Sequence, residues 1–163
     1  MSKKYSVIFV CLGNICRSPA GENIFRHLVT EAGLESDIFI DSAGTHDYHP
    51  GKKPDHRMCH TLESRGIPTA GSGRQFKRAD FEKFDLILAM DTENFANIQR
   101  LAPGNQYSEK IKAFTSFCTN PAHQIPNVPD PYYGENDGFE LVADMLEDGC
   151  AEILKNIKRT IKN

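Results

Sequence analysis

Tryptophan is absent from these 163 residues, and so is any CxxC pair. Five cysteines stand at 11, 16, 59, 118 and 150, an odd number at scattered spacing. That pattern argues against a structural zinc site and against a disulfide framework, so no metal is expected. Apolar runs of about 18 residues are lacking, and with them any bilayer-spanning helix. The run Ser6 to Val10 is too short for a signal-peptide core and has no small-residue cleavage site after it, so a cytoplasmic protein is expected. Excess charge is missing too. A net charge of −3 points to neither nucleic acid nor an anionic membrane as partner. No repeat, low-complexity tract or linker divides the chain, and its length suits a single domain over residues 1–163.

What is present alternates. Ser6-Val7-Ile8-Phe9-Val10 is β-branched and apolar, as a strand buried on both faces must be. Ser18 suits an N-cap and Pro19 a first helical position. Ala20, Ile24, Leu28 and Ala32 then recur along one helical face, with Gly33 as the stop. Asp37 to Asp41 reads as a second strand, Pro54 to Arg65 as a helix closed by Gly66, and Asp85 to Met90 as a third strand. A helix over Thr92 to Leu101, a weak strand near Ile111 to Phe114 and a long loop from Asn120 to Gly138 follow. The final helix carries Phe139, Val142, Leu146, Cys150, Ile153, Ile157 and Ile161 at steps of three or four, with acids early and bases late. Strand-helix alternation of this kind predicts an α/β fold, a parallel sheet with helices on both faces. Ligands of such folds bind at the carboxyl ends of the strands.

Cys11-Leu12-Gly13-Asn14-Ile15-Cys16-Arg17 occupies one such end, between the first strand and its helix. A Cys-x5-Arg pair alone is weak; its position gives it meaning. Backbone N–H groups in a curl before a helix make an anion nest. Gly13 and Asn14 tolerate the left-handed conformations that a tight curl needs. Arg17 offers a planar fork for two phosphate oxygens, and the nest favours a thiolate at Cys11, with Ser18 able to donate to the sulfur. Phosphoryl transfer also needs an acid for the leaving oxygen. Asp130, held between Pro129 and Pro131 and followed by Tyr132 and Tyr133, suits that work, with the tyrosines as walls for a flat ring. Asp41, Asp47, Asp55 and Asp91 are rival carboxylates; for Asp91, capping the next helix is a sufficient role.

Val10 to Pro19 resembles the signature loop of the low-molecular-weight protein-tyrosine phosphatases. Asp41-Ser42-Ala43-Gly44-Thr45, Ala89-Met90-Asp91 and Asp130-Pro131-Tyr132-Tyr133-Gly134 are similar to that family's later motifs. The resemblance runs from about Val7 to the C-terminus. It implies a four-stranded parallel sheet in three layers, and phosphotyrosine-containing proteins as substrates, inorganic phosphate as product, and no cofactor. It makes Cys11 the nucleophile, Arg17 the phosphate binder and Asp130 the general acid and base. Leu12, Gly13, Asn14, Ile15 and Cys16 line the phosphate loop, Ser18 stabilises the thiolate, and Asn14 and Ser42 brace the loop. Tyr48, where many members have tryptophan, joins Tyr132 and Tyr133 as a pocket wall. Gly71-Ser72-Gly73 stands where animal members have a histidine. Activity on small aryl phosphates and a monomeric state are expected.

Related chemistry on similar loops is weighed by what each needs. Thiol-dependent arsenate reductases use two further cysteines near the third strand, and residues 75 to 100 hold none. Cysteine phosphocarriers are shorter and need no acid with aromatic walls. Protein-arginine phosphatases carry Thr where this chain has Ile15. Cys16, five residues after Cys11, is a candidate partner for a reversible Cys11–Cys16 disulfide under peroxide.

Overall fold

The computed structural model describes residues 4–13, 16–46, 53–71, 73–131 and 136–161, the side chains of Asn136 and Asp137 excepted. Four strands and five α-helices follow in the order β1 (Tyr5–Cys11), α1 (Arg17–Glu31), β2 (Ile38–Gly44), α2 (His56–Glu63), α3 (Ala79–Lys83), β3 (Leu86–Ala89), α4 (Thr92–Leu101), β4 (Ile111–Ala113) and α5 (Asn136–Ile161). All strand pairings are parallel, in the spatial order β2-β1-β3-β4.

Alternation along β1 builds the three layers. Val7, Phe9 and Cys11 face α1, α2 and α5 in one apolar cluster. Ile8 and Val10 face the other way, against Phe81 from α3 and Ile98 from α4. A strand covered on both sides has no polar face to show, which is why β1 reads as an unbroken apolar run. Close approach is enforced by small residues. A Cβ on Gly21 of α1 would lie 2.6 Å from the Phe9 ring, and one on Gly149 of α5 would lie 2.4 Å from Phe114.

β1 sends its connection to β2 on one side and has β3 on the other, so the sheet's switch point lies between β1 and β3. A crevice outside the strand ends opens at such a point. Cys11 closes β1 there, and Met90 and Asp91 follow β3 there.

Several expectations need correction. Ser18 is not the N-cap of α1. The helix begins at Arg17, the N-cap position is Cys16, and the first helical bond runs from Ala20 N to Cys16 O. The Ser18 hydroxyl is turned to Cys11 and Ala43 instead. Pro19 still fits, because its missing N–H is one of the four that no helix start can satisfy. α2 begins at His56, with Asp55 as N-cap through a 2.9 Å bond from Arg57 N. β2 runs on through Ser42 to Gly44, held by parallel pairing with Phe9 and Cys11. α5 starts at Asn136, so the loop before it is shorter than its composition suggests, and it contains a 3-10 turn at Pro121–His123. α3 has five residues, too few to show a period, and was missed.

Candidate active site

Cys11 is buried at the last position of β1. Thr45 N donates to Cys11 O at 2.8 Å and His46 N to Leu12 O at 3.0 Å, so the end of β2 braces the loop's first residues. Leu12 and Gly13 are half-buried; Asn14 and Ile15 lie outside the described residues. Cys16 is buried at the N-cap position of α1.

Cys11 Sγ and Ser18 Oγ are 2.9 Å apart, and Ser18 Oγ lies 3.3 Å from Ala43 O. One hydroxyl proton cannot serve both. With a protonated thiol, S–H donates to Oγ and O–H donates to Ala43 O. With a thiolate, the hydroxyl turns to the sulfur. The arrangement accepts either state at the cost of one short rotation.

Cys16 is a different kind of thiol. Burial first, then the negative charges of Asp55, Asp130 and Cys11, push it far above the ordinary cysteine range. Its proton is therefore firmly held. Both are free thiols in the structure.

Arg17, the first residue of α1, is buried and stays charged. Desolvation works against the cation, but Cys11, Asp91 and Asp130 outweigh it and raise its proton affinity. Its Nη1 donates to Asp91 Oδ2 at 2.6 Å and to Val128 O at 3.1 Å, while Nη2 lies 3.6 Å from Asp130 Oδ2. The guanidinium thus ties α1 to the end of β3 and to the loop that carries Asp130. Asp91 does two jobs where one was expected. Oδ1 caps α4 through Asn94 N at 2.7 Å, and Oδ2 holds Arg17. Its place straight after β3, at the switch point, was the available signal.

The segment bearing Asp130 has its own attachments. Val128 N donates to Met90 O at 2.8 Å, and Thr92 N to Asn127 Oδ1 at 2.9 Å. Asp130 is two residues further on, with its side chain one third exposed. Tyr132 and Tyr133, like Tyr48, lie outside the described residues.

Behind the loop sits a carboxylate that sequence reasoning missed. Glu22, buried on α1, accepts a 2.5 Å hydrogen bond from Ser42 Oγ and pairs with Arg26 one turn on. Ser42 therefore ties β2 to α1 below the loop. Gly71 approaches the same carboxylate, with φ +108 and an added Cβ only 3.7 Å from both oxygens. Asn23 fastens that segment by two bonds, to Ala70 O at 3.2 Å and from Ala70 N at 3.1 Å. Nothing in the sequence spacing announces Glu22, because its partner Ser42 comes from β2, 20 residues on.

Among the described residues no three His, Cys, Asp or Glu side chains group to hold a metal ion, and no helix is long and apolar enough to cross a membrane.

The low molecular weight phosphotyrosine protein phosphatase family model matches residues 6–163. A Schizosaccharomyces pombe phosphatase of that name is 42% identical over 158 residues, covering 96% of this chain and 99% of that one. The crystal structure of an Entamoeba histolytica protein tyrosine phosphatase superposes with a TM-score of 0.91 at 39% identity, over 96% of this chain and 99% of that one. A Drosophila arginine phosphatase structure gives a TM-score of 0.85 at 32% identity, over 93% and 97%. A match along nearly the full length, with a thiol, a buried arginine and a carboxylate gathered at the switch point, places this chain in the low molecular weight phosphotyrosine protein phosphatase family.

Proposed function

We propose that the chain hydrolyses phosphotyrosine in proteins through a phosphocysteine formed on Cys11. In the first step the Cys11 thiolate attacks phosphorus and the P–O bond to the tyrosine ring breaks. Asp130 gives its proton to the departing phenolic oxygen. In the second step Asp130, now a carboxylate, takes a proton from water, which attacks phosphorus and releases inorganic phosphate and the thiolate. Arg17 and the loop N–H groups hold the equatorial oxygens, where the transition-state charge is spread. They supply the positive potential, so the scheme assigns no step to a metal or cofactor. Leu12, Gly13, Asn14, Ile15 and Cys16 form the anion loop in this reading, and Tyr48, Tyr132 and Tyr133 are the walls of the ring pocket.

The observation that carries the reading is the chain of contacts from Cys11 Sγ through Ser18 on one side, and from Arg17 to Asp130 on the other. Phosphate drawn onto Arg17 releases Asp130 from its ion pair, so substrate binding itself prepares the acid. Peptides carrying phosphotyrosine, phosphoserine or phosphoarginine, assayed with and without EDTA, provide the test. Phosphotyrosine should be preferred, EDTA should have no effect, and Cys11→Ser should abolish turnover with the fold retained. Substantial hydrolysis by Cys11→Ser would remove the covalent mechanism.

The Drosophila neighbour supports phosphoarginine as a second reading. A phosphoarginine rate above the phosphotyrosine rate would favour it, and Ile15→Thr should shift relative activity the same way.

A further inference from the structure

Asp148 lies midway along α5, well away from Cys11 in sequence, and its side chain is 12% exposed. Four donors converge on it. Oδ1 accepts from Thr119 N at 3.0 Å and Thr119 Oγ1 at 2.8 Å. Oδ2 accepts from Asn120 N at 3.1 Å and lies 2.9 Å from His123 Nδ1. Hydrogen bonds to an ionised group are about twice as strong as neutral ones, and this carboxylate has all its acceptor directions occupied. Every donor comes from residues 119–123, the opening of the loop that carries Asp130.

The rest of that loop is lightly held. Gln124, Ile125, Pro126 and Asn127 are exposed. Gln124 Nε2 closes back on Cys118 O at 3.1 Å, and Cys118 Sγ reaches Met145 O of α5 at 3.6 Å. The next firm attachment is at Asn127 and Val128. Pro121, Pro126, Pro129 and Pro131 each fix one backbone angle. A segment so restricted transmits a displacement at its start instead of absorbing it. Just past Asp130, Pro131 packs on α5 at Gly138, whose Cβ position is 3.4 Å from Pro131 Cβ. The same helix therefore holds the loop on both sides of Asp130.

We infer that Asp148 is a positioning residue for the proposed general acid: by clamping Thr119, Asn120 and His123 to α5, it sets where Asp130 stands over Arg17. This inference rests on the reading of Asp130 as the acid. Misplacing a catalytic group by about 1 Å costs on the order of 100-fold. Losing the clamp while the attachments at Asn127, Val128 and Pro131 remain should cost less, roughly tenfold on that scale.

The test measures kcat/KM for aryl phosphates of rising leaving-group pKa, using the full chain, Asp148→Asn, Asp130→Ala and the double variant. Asp148→Asn should lose about tenfold on phenyl phosphate and less than about twofold on p-nitrophenyl phosphate, whose leaving group needs little protonation. In the Asp130→Ala background the same change should cost nothing further, because residues acting as a unit are not additive. An equal loss on all esters, or an undiminished loss without Asp130, would overturn the clamp. If Asp130→Ala itself shows no leaving-group dependence, the acid reading fails first and takes the clamp with it. Should Asp148→Asn not fold, Thr119→Val, which removes one arm only, should give the same pattern at about threefold; its failure to do so would equally sink the proposal.

Discussion

The Ser18 hydroxyl and the Asp91 carboxylate show what single residues add beyond a motif. The position of each suits helix capping. Ser18 is used by Cys11 and Ala43, and Asp91 caps α4 with one oxygen while gripping Arg17 with the other. The second arrangement is testable, because asparagine is an equally good N-cap. Asp91→Asn should keep α4 and the melting temperature close to wild type while removing the charge that orients Arg17. kcat should fall roughly tenfold, in line with misplacement of a binding group, and KM should change much less, since Arg17 remains charged. An unchanged kcat would show that Arg17 needs no orientation from Asp91. For Asp130, Asp130→Ala should lower kcat by something like 10²–10⁴-fold, the usual worth of general acid catalysis. The loss should be largest for the poorest leaving groups; a uniform loss would count against the acid role.

At the scale of elements, the helices sit where glycines let them. α5 crosses Phe114 at Gly149, where an added Cβ would fall 2.4 Å from the ring, and Phe114 itself is fully buried. The ring cannot swing aside, since Phe9 lies 6.2 Å away, centroid to centroid, and occupies the same layer. Overpacking of this kind typically costs about 1–3 kcal/mol. Gly149→Ala should therefore destabilise in urea by about that amount, although alanine is the better helix former by up to about 1 kcal/mol. A variant as stable as wild type would show that α5 can lift off without cost. The turn that follows α2 is drawn to α5 by Arg65, which meets Glu140 at 2.6 Å and Asp144 and Glu147 at 3.0 Å each. Those carboxylates are about half exposed, so Arg65 adds little stability by itself.

The whole molecule records its ion pairs in its acid stability. At Asp148 partial burial opposes ionisation, but bonds from Thr119, His123 and Asn120 prevail and hold the carboxyl at about 2. Burial likewise works against Asp55, and Arg57 together with backbone N–H groups brings it below the usual carboxylate range. A carboxyl depressed in the folded state stabilises above its unfolded value of roughly 4 and loses that contribution as pH falls toward the folded value. Stability should therefore stay level from neutrality to about pH 5, then drop between roughly pH 4 and 2. Asp148→Asn should be less stable at neutrality and show a shallower acid limb. An acid limb as steep as that of wild type would mean that Asp148 is not among the groups responsible.

How much was legible follows from what each feature depends on. The strands, the long helices and the thiol loop were readable because they depend on neighbours in the chain. Period, branching, a glycine stop and a Cys-x5-Arg spacing are all local. The sequence alone determined a buried β1, a loop at its carboxyl end with Cys11 and Arg17 on it, and an aspartate stiffened by prolines at 129 and 131. Tertiary structure alone decided which groups meet across those elements. Glu22 finds Ser42, Asp91 finds Arg17, and Asp148 finds the start of the Asp130 loop, across separations of 20 to 74 residues. Side-chain hydroxyls and carboxylates carry no periodicity, and their partners are set by strand order and helix packing. Until β1 lies between β2 and β3, nothing in the chain says which oxygen any of them will bind.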